Sequence, residues 1–311
     1  MRFEEGADLD TSQIDDLRGG GGGLPLGGRV VLGGGGLGVV GLIMFLLISQ
    51  LGGFGGGPVP LPSGSGTASP GQVADTSQLA ASCRTGRDAN SRRDCEIVAV
   101  VNSLDAFWSD QFARSGMTYQ PPRLNLFSGA VRTNGCGSAT SAVGPFYCPA
   151  DREVYIDLSF FQELETQFGA RGGPFARAYV IAHEYGHHVQ NLLGTSSRVR
   201  PGSTGPTSGS VRLELQADCY AGVWARHASS TPTASGKPLI VDVTREDVAA
   251  ALDTAARIGD DYIQTRIGGG RVDESQFTHG TSAQRERWYT TGFRTGDPAS
   301  CDTFARGVDL G

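Results

Sequence analysis

The sequence has no stripe of lysine and arginine residues, and it does not interleave basic with aromatic side chains. Its 32 acidic residues outnumber its 26 basic ones, which gives a net charge of −6 at pH 7. Proteins that bind nucleic acid hold the phosphate backbone with clustered basic charge. We therefore predict no nucleic-acid partner.

None of the six cysteines forms a Cys-x-x-Cys pair, which argues against a cysteine-based zinc site. Sequence alone cannot fix the connectivity, because six cysteines allow many pairings. The alternative is six free thiols in a cytosolic protein, whereas the apolar segment that precedes all six makes an oxidising compartment plausible. The spacing favours these disulfides, the first two of them local: Cys83–Cys95, Cys136–Cys148 and Cys219–Cys301.

Charged residues are also missing from residues 30–51, which are densely apolar in their second half. A run of this length can cross the hydrocarbon core of about 30 Å as a helix, so we predict a transmembrane helix here. A secretory signal peptide is the alternative, but the segment starts late and no clear A-x-A cleavage site follows it. Arg18 and Arg29 precede the segment and no charge follows before Asp75, which predicts a cytoplasmic N-terminus and an extracytoplasmic domain in the cell membrane.

These features divide the chain into four predicted parts. Residues 1–29 are a disordered cytoplasmic tail and glycine-rich linker, 30–51 the single transmembrane helix, 52–74 a Gly/Pro/Ser tether and 75–311 the globular domain. The domain is predicted to be α+β and mainly helical. Helices are predicted over residues 94–113, 158–168, 174–193, 211–227, 244–267 and 282–292, and short strands over 127–131 and 153–157.

The strongest predicted helix carries the pattern H-E-x-x-H at residues 183–187. Because His183 and His187 are four residues apart, they share one helix face and can bind a single zinc ion at about 2.0–2.1 Å. Glu184 then lies near the open coordination position, where it can accept a proton from a zinc-bound water. The alternative is a pair of ordinary histidines on an amphipathic helix, although the chain has only five histidines.

A catalytic zinc site needs a third protein ligand. The metzincin continuation is absent, because Gln190 and Leu193 stand where it requires glycine and histidine. Glu214 and Asp218 share a face of the next helix. We predict that Glu214 completes a His2Glu site and that Asp218 accepts the ring N–H of His183. The alternative, a solvated acidic face, fits poorly with the apolar residues that surround both acids.

A later segment adds His279 and Arg285. His279 can stabilise the oxyanion of a tetrahedral intermediate, and Arg285 can pair with an acid. Spacing alone leaves these roles open against an ordinary surface loop and helix. His188 is interpreted as a structural or exposed residue, Tyr185 as a packing residue and His227 as a surface residue.

The segments that carry these residues resemble the bacterial neutral zinc metallopeptidases along essentially the whole chain. The order H-E-x-x-H, E-x-x-x-D, then His with Arg six residues later is also similar to the membrane CAAX prenyl proteases and heat-shock zinc proteases. That likeness implies functional roles for His279 and Arg285. It also implies a gluzincin-type core in which zinc lies between two helices and a small sheet, whose edge strand receives extended peptide. Those proteases embed several helices in the membrane, so their substrates are not carried over.

We therefore expect a membrane-anchored metallopeptidase with one zinc ion per chain and a peptide or protein substrate. The strand over residues 153–157 is predicted to align that substrate by β-addition. The alternatives are a zinc-stabilised envelope scaffold without activity and a zinc amidase that acts on cell-wall peptides. An intact Glu184 argues against the scaffold, because a structural zinc site has no use for it. The oligomeric state is left open.

Overall fold

The computed structural model describes residues 1–18, 76–200, 202–234 and 236–311. The helices in these ranges are α1 Ser77–Ser82, α2 Gly86–Ala89, α3 Arg93–Arg114, α4 Ser159–Thr166, α5 Pro174–Leu192, α6 Gly209–His227, α7 Arg245–Arg257, α8 Asp260–Tyr262 and α9 Ser282–Thr295. The strands are β1 Arg2–Phe3, β2 Ile14–Asp16, β3 Arg123–Phe127, β4 Ala130–Arg132, β5 Ser138–Thr140, β6 Phe146–Cys148, β7 Glu153–Asp157 and β8 Ile240–Asp242. The predicted α+β class and its helical bias agree with these elements.

Two close backbone contacts set the packing of the helices that carry the site. A Cβ atom at Gly186 of α5 would lie 2.9 Å from the Cα atom of Ala217 in α6. A Cβ atom at Gly222 of α6 would lie 2.1 Å from the carbonyl oxygen of Tyr289 in α9. Only glycine allows backbones to approach this closely without displacement. Gly186, the fourth residue of the H-E-x-x-H pattern, therefore brings α5 onto α6.

The main sheet has the strand order β2-β3-β7-β6. Strands β2, β3 and β7 are parallel to one another, and β6 pairs antiparallel with β7. Because β7 is paired on both sides, it has no free edge at which a substrate strand could add. The prediction that residues 153–157 align the substrate is therefore wrong, although the strand itself was placed correctly.

The N-terminal residues 1–18 belong to the folded domain. Strand β1 pairs with β8, and β2 pairs with β3. Phe3 and Ile14 are buried in the same core as the helices, and Asp15 forms an ion pair with Arg123. The prediction of a disordered tail was wrong because it weighed the six acids of this segment and missed two widely spaced apolar anchors.

The predicted fold class included a membrane helix, and this part of the prediction needs a correction. The prediction placed a single transmembrane helix at residues 30–51, yet no helix in the described ranges is long and apolar enough to cross a bilayer. Residues 30–51 and the tether at 52–74 lie outside the described residues. The described N-terminal segment pairs with the domain through β1 and β2. The described residues form an α+β domain, and none of their helices is the predicted membrane helix.

Three disulfides close the domain in the pairing that the spacing favours, and no free thiol remains. They are Cys83–Cys95, Cys136–Cys148 and Cys219–Cys301. The third ties α6 to the short 3₁₀ turn Pro298–Cys301 near the C-terminus. The alternative of six free cysteines was wrong.

One predicted helix is divided. The capping box of Thr244 and Asp247 starts α7 as expected, but α7 ends at Arg257 instead of continuing to Ile267. A Cβ atom at Gly259 would lie 2.4 Å from the backbone nitrogen of Ser282. The chain therefore turns at Gly259 to pack against the start of α9, and it resumes as α8.

Candidate metal centre

Helices α5 and α6 bring His183, His187 and Glu214 together in the interior. The Nε2 atoms of the two histidines are 3.2 Å apart. Glu214 lies against both, with Oε2 3.1 Å from Nε2 of His183 and Oε1 3.5 Å from Nε2 of His187. All three side chains are less than a tenth exposed. The three predicted ligands therefore converge on one point.

Asp218 fixes the orientation of the first histidine. Nδ1 of His183 donates to Oδ1 of Asp218 over 2.8 Å, as the sequence predicted. Its Nε2 atom is left facing Glu214. Burial lowers the pKa of His183, but attraction to Asp218 and the bonds to both acids outweigh it and raise the pKa to about 10. A metal ion at Nε2 must therefore displace a proton, as metal binding to histidine commonly does.

Asp218 is itself the centre of a buried network. Tyr179 donates its hydroxyl to Asp218 over 2.6 Å, and Arg285 donates twice, over 2.9 and 3.0 Å. Burial works to raise the pKa of Asp218, but Arg285 and His183 lower it to about 2. Arg285 is 1% exposed. Its two bonds to Asp218 agree with the prediction that it pairs with an acid. Tyr179 was missed, although it precedes His183 by one helical turn.

Glu184 is buried beside the two histidines. Burial raises its pKa, and the neighbouring charges of His183 and His187 partly oppose that rise. A carboxylate whose proton affinity is raised in this way is a better proton acceptor near neutral pH than an exposed one. The position and electrostatics of Glu184 suit the predicted general base.

His279 approaches the site from the loop before α9. Its Nδ1 atom is 2.9 Å from the hydroxyl of Thr278 and 3.5 Å from Asp260. Asp260 also accepts the backbone N–H groups of residues 278, 279 and 280 over 2.7, 2.7 and 2.9 Å. Burial lowers the pKa of His279, but Glu214 and Asp260 together raise it. Sequence reasoning missed Asp260, because no local pattern links it to a histidine 19 positions later.

The remaining histidines are structural. His188 is 1% exposed, and it lies between the hydroxyl of Tyr147 at 3.1 Å and the backbone carbonyl of Gln120 at 2.6 Å. Burial lowers its pKa to about 4. His227 was predicted at the surface, but it stacks on Phe107 and bonds to the carbonyl of Gly296. Tyr185 is fully buried, which fits the predicted packing role.

The donor set fits a zinc ion. Two imidazole nitrogens and one carboxylate are the ligands of a His2Glu catalytic site, in which the fourth position stays open for water. Their donor atoms all lie within 4.8 Å of one another. Among the described residues, one other group of this kind occurs at Cys83, Asp94 and Cys95, but its two sulfur atoms are joined in a disulfide.

Comparison with known proteins places these residues in a family. Residues 1–304 match the family described as "Putative neutral zinc metallopeptidase". The chain is 52% identical over 230 residues to the uncharacterized protein Rv2575 of Mycobacterium tuberculosis, which covers 74% of this chain and 76% of the relative. It is 38% identical over 307 residues to the uncharacterized protein YpfJ of Escherichia coli K12, covering 96% and 98%. No solved structure matches. The chain therefore belongs to the neutral zinc metallopeptidase family, as its motifs indicated.

Proposed function

We propose that this protein is a metallopeptidase that hydrolyses peptide bonds with one zinc ion per chain, held by His183, His187 and Glu214. The observation that carries the proposal is the convergence of these three donors in the interior while the other nitrogen of each imidazole is engaged elsewhere. Histidines that only packed the core would have no reason to turn both Nε2 atoms toward one carboxylate.

Each remaining site residue has a part in the proposed reaction. Zinc bound here would lower the pKa of a bound water and polarise the scissile carbonyl. Glu184 takes a proton from the attacking water and passes it to the leaving amine. His279, whose pKa is raised, donates to the oxyanion that forms on the substrate. Asp218 and Arg285 hold His183 in place throughout.

Strand β6 lies against the helix that carries the two histidines, and it offers no open edge for an extended substrate because its three residues are each less than a tenth exposed. It is the edge strand of the main sheet on the β7 side. Two residues of α5 hold it close to the site, because the hydroxyl of Tyr147 contacts His188 at 3.1 Å and Asn191 at 2.8 Å. The three disulfides support a place of action in an oxidising compartment, outside the cytoplasm.

The decisive experiment compares the full chain with Glu184→Gln and with Glu246→Gln, a matched change at an exposed glutamate of α7. Zinc content and cleavage of an unstructured protein are measured for each. We expect one zinc in all three and cleavage by the wild type and Glu246→Gln alone. Cleavage by Glu184→Gln would refute the mechanism, and absence of zinc from the wild type would refute the metal site. Zinc without cleavage in any of them would favour the scaffold alternative.

A further inference from the structure

The second proposed ligand, His187, contacts a chain of two glutamine amides, and the geometry assigns which of their atoms donate and which accept. We propose that Gln190 and Gln216 are positioning residues: together they fix the tautomer of His187 that presents Nε2 to the metal. The inference rests on the proposed zinc site and deepens it, because it names what holds the ligand that Asp218 does not reach.

The assignment starts at a backbone carbonyl. The side chain of Gln190 contacts the carbonyl oxygen of Leu213 over 2.7 Å. A carbonyl oxygen can only accept, so the amide nitrogen of Gln190 must face it. The amide oxygen of Gln190 then faces Nδ1 of His187, at 2.9 Å. An amide oxygen also only accepts, so Nδ1 of His187 carries a proton, and the neutral ring then keeps its lone pair on Nε2.

A second carbonyl supports the same assignment from the other end. The amide nitrogen of Gln216 donates to the carbonyl oxygen of Cys301 over 2.9 Å. Its amide oxygen therefore faces Gln190, from which it accepts a bond over 3.2 Å. Gln190 is fully buried and Gln216 is 4% exposed, so water cannot readily replace either bond. Reversing the Gln190 amide would set acceptor against acceptor at both Leu213 and Gln216. Reversing the Gln216 amide would set acceptor against acceptor at Cys301 and donor against donor at Gln190.

The hydrogen bonds from His187 through Gln190 and Gln216 form a relay, and the carbonyl at its far end is covalently fixed. Cys301, whose carbonyl holds Gln216, forms a disulfide with Cys219 in the same helix that carries Glu214 and Gln216. The relay runs from His187 through Gln190 and Gln216 to this disulfide-anchored carbonyl. Because the site helix and the carbonyl are tied together, Gln216 has a fixed acceptor and transmits that constraint to the ligand.

The test measures zinc affinity by competition with a chromophoric chelator on the full chain. The variants are Gln190→Met, Gln216→Met and the double variant. The control is Gln284→Met, because Gln284 is also buried, at 3% exposure, but belongs to the capping box of α9. Loss of a group that orients a ligand weakens metal binding roughly 10–100-fold, and we expect this for Gln190→Met. Gln216→Met should weaken binding less, and Gln284→Met should not change it.

The double variant separates a relay from two independent losses. If the glutamines act in series, the double variant binds zinc no more weakly than Gln190→Met alone. Additive losses would overturn the relay, and so would an equal loss in Gln284→Met. Unchanged affinity in Gln190→Met would overturn the inference while the zinc site stands. A wild type that binds no zinc would overturn both.

A measurement on the wild type avoids any loss of folding in the variants. Histidine labelled with ¹⁵N distinguishes a protonated ring nitrogen from one that holds a metal by its chemical shift. In the zinc-loaded protein we expect His187 to keep its proton at Nδ1 and to bind through Nε2. Binding through Nδ1, or no proton on that atom, would overturn the inference.

Discussion

At the scale of single residues, the histidines of the candidate site are oriented by polar side chains that face their Nδ1 atoms. Asp218 engages His183, Gln190 engages His187, and Asp260 faces His279. Each partner is buried, so each bond forms where water cannot compete and its loss leaves a polar atom unpaired.

Tyr179 offers a test of this network. Tyr179→Phe removes the hydroxyl that donates to Asp218, and we expect zinc affinity to fall about tenfold because Asp218 then holds His183 less firmly. Tyr289→Phe is the matched control, since Tyr289 packs against Tyr179 and its buried hydroxyl has no hydrogen-bond partner. Equal zinc affinities in the two variants would contradict the role given to Tyr179.

Asp105 in α3 predicts a pH dependence of stability that is separate from the site. Burial raises its pKa from 3.8 to about 8, while Tyr119 donates to its carboxylate. Between these values the folded state keeps a proton that the unfolded state releases, so this residue's contribution to stability falls as the pH rises through that window. Asp105→Asn removes the titration.

Denaturant unfolding at pH 5 and pH 8 measures this effect. As the pH rises from 5 to 8, we expect the wild type to lose stability relative to Asp105→Asn. The difference between their free energies of unfolding should therefore shift in favour of the variant. Asp110→Asn, an exposed change on the same helix, should follow the wild type. The same pH dependence in wild type and Asp105→Asn would show that Asp105 is not protonated in the folded state.

At the scale of secondary-structure elements, local patterns predicted much of the fold. The H-E-x-x-H helix, the Glu214 helix and the capping box at Thr244 carry strong short-range signals. The two helices lie within a few residues of their predicted bounds, and the capping box starts its helix as predicted. The pairing of β2 with β3 depends on contacts between distant parts of the chain. A strand of three residues shows no periodicity that could reveal it.

The same reasoning explains which site residues were found. The three proposed ligands and Glu184 follow spacings that the helix and the geometry of a single metal ion would impose. Gln190, Gln216 and Asp260 act through contacts with other elements, and their sequence positions carry no pattern. Gln190 was noticed only as a departure from a different family's motif.

The N-terminal strands give a prediction at this scale. Ile14 is fully buried in β2, so Ile14→Ala should lower the free energy of unfolding by about 2–5 kcal/mol. Leu193→Ala is the control, because Leu193 is 42% exposed and should change stability by no more than about 0.5 kcal/mol. Denaturant unfolding that gave the two variants equal stability would mean that residues 1–18 are not docked.

At the scale of the whole molecule, residues 1–18 and the domain form one body. They must therefore occupy the same compartment. Cysteines introduced separately at the exposed positions Glu5 and Glu246 should both react, or both fail to react, with a membrane-impermeant maleimide in intact spheroplasts. The wild type, whose cysteines are all in disulfides, is the unlabelled control. Opposite labelling of the two positions would contradict the packing of the N-terminal strands.

The pairing of β1 with β8 also limits when β1 can fold during synthesis. β1 ends at Phe3 and leaves the ribosome long before its partner β8, which ends at Asp242. At about 5–20 residues per second, many seconds separate the two during synthesis. Phe3 in β1 must wait, apolar and unpaired, until most of the chain has been made, whereas Ile14 in β2 needs only β3, which ends at Phe127. Strand β1 is thus synthesised long before it can reach its native place, and a chain truncated before β8 would leave β1 without its partner.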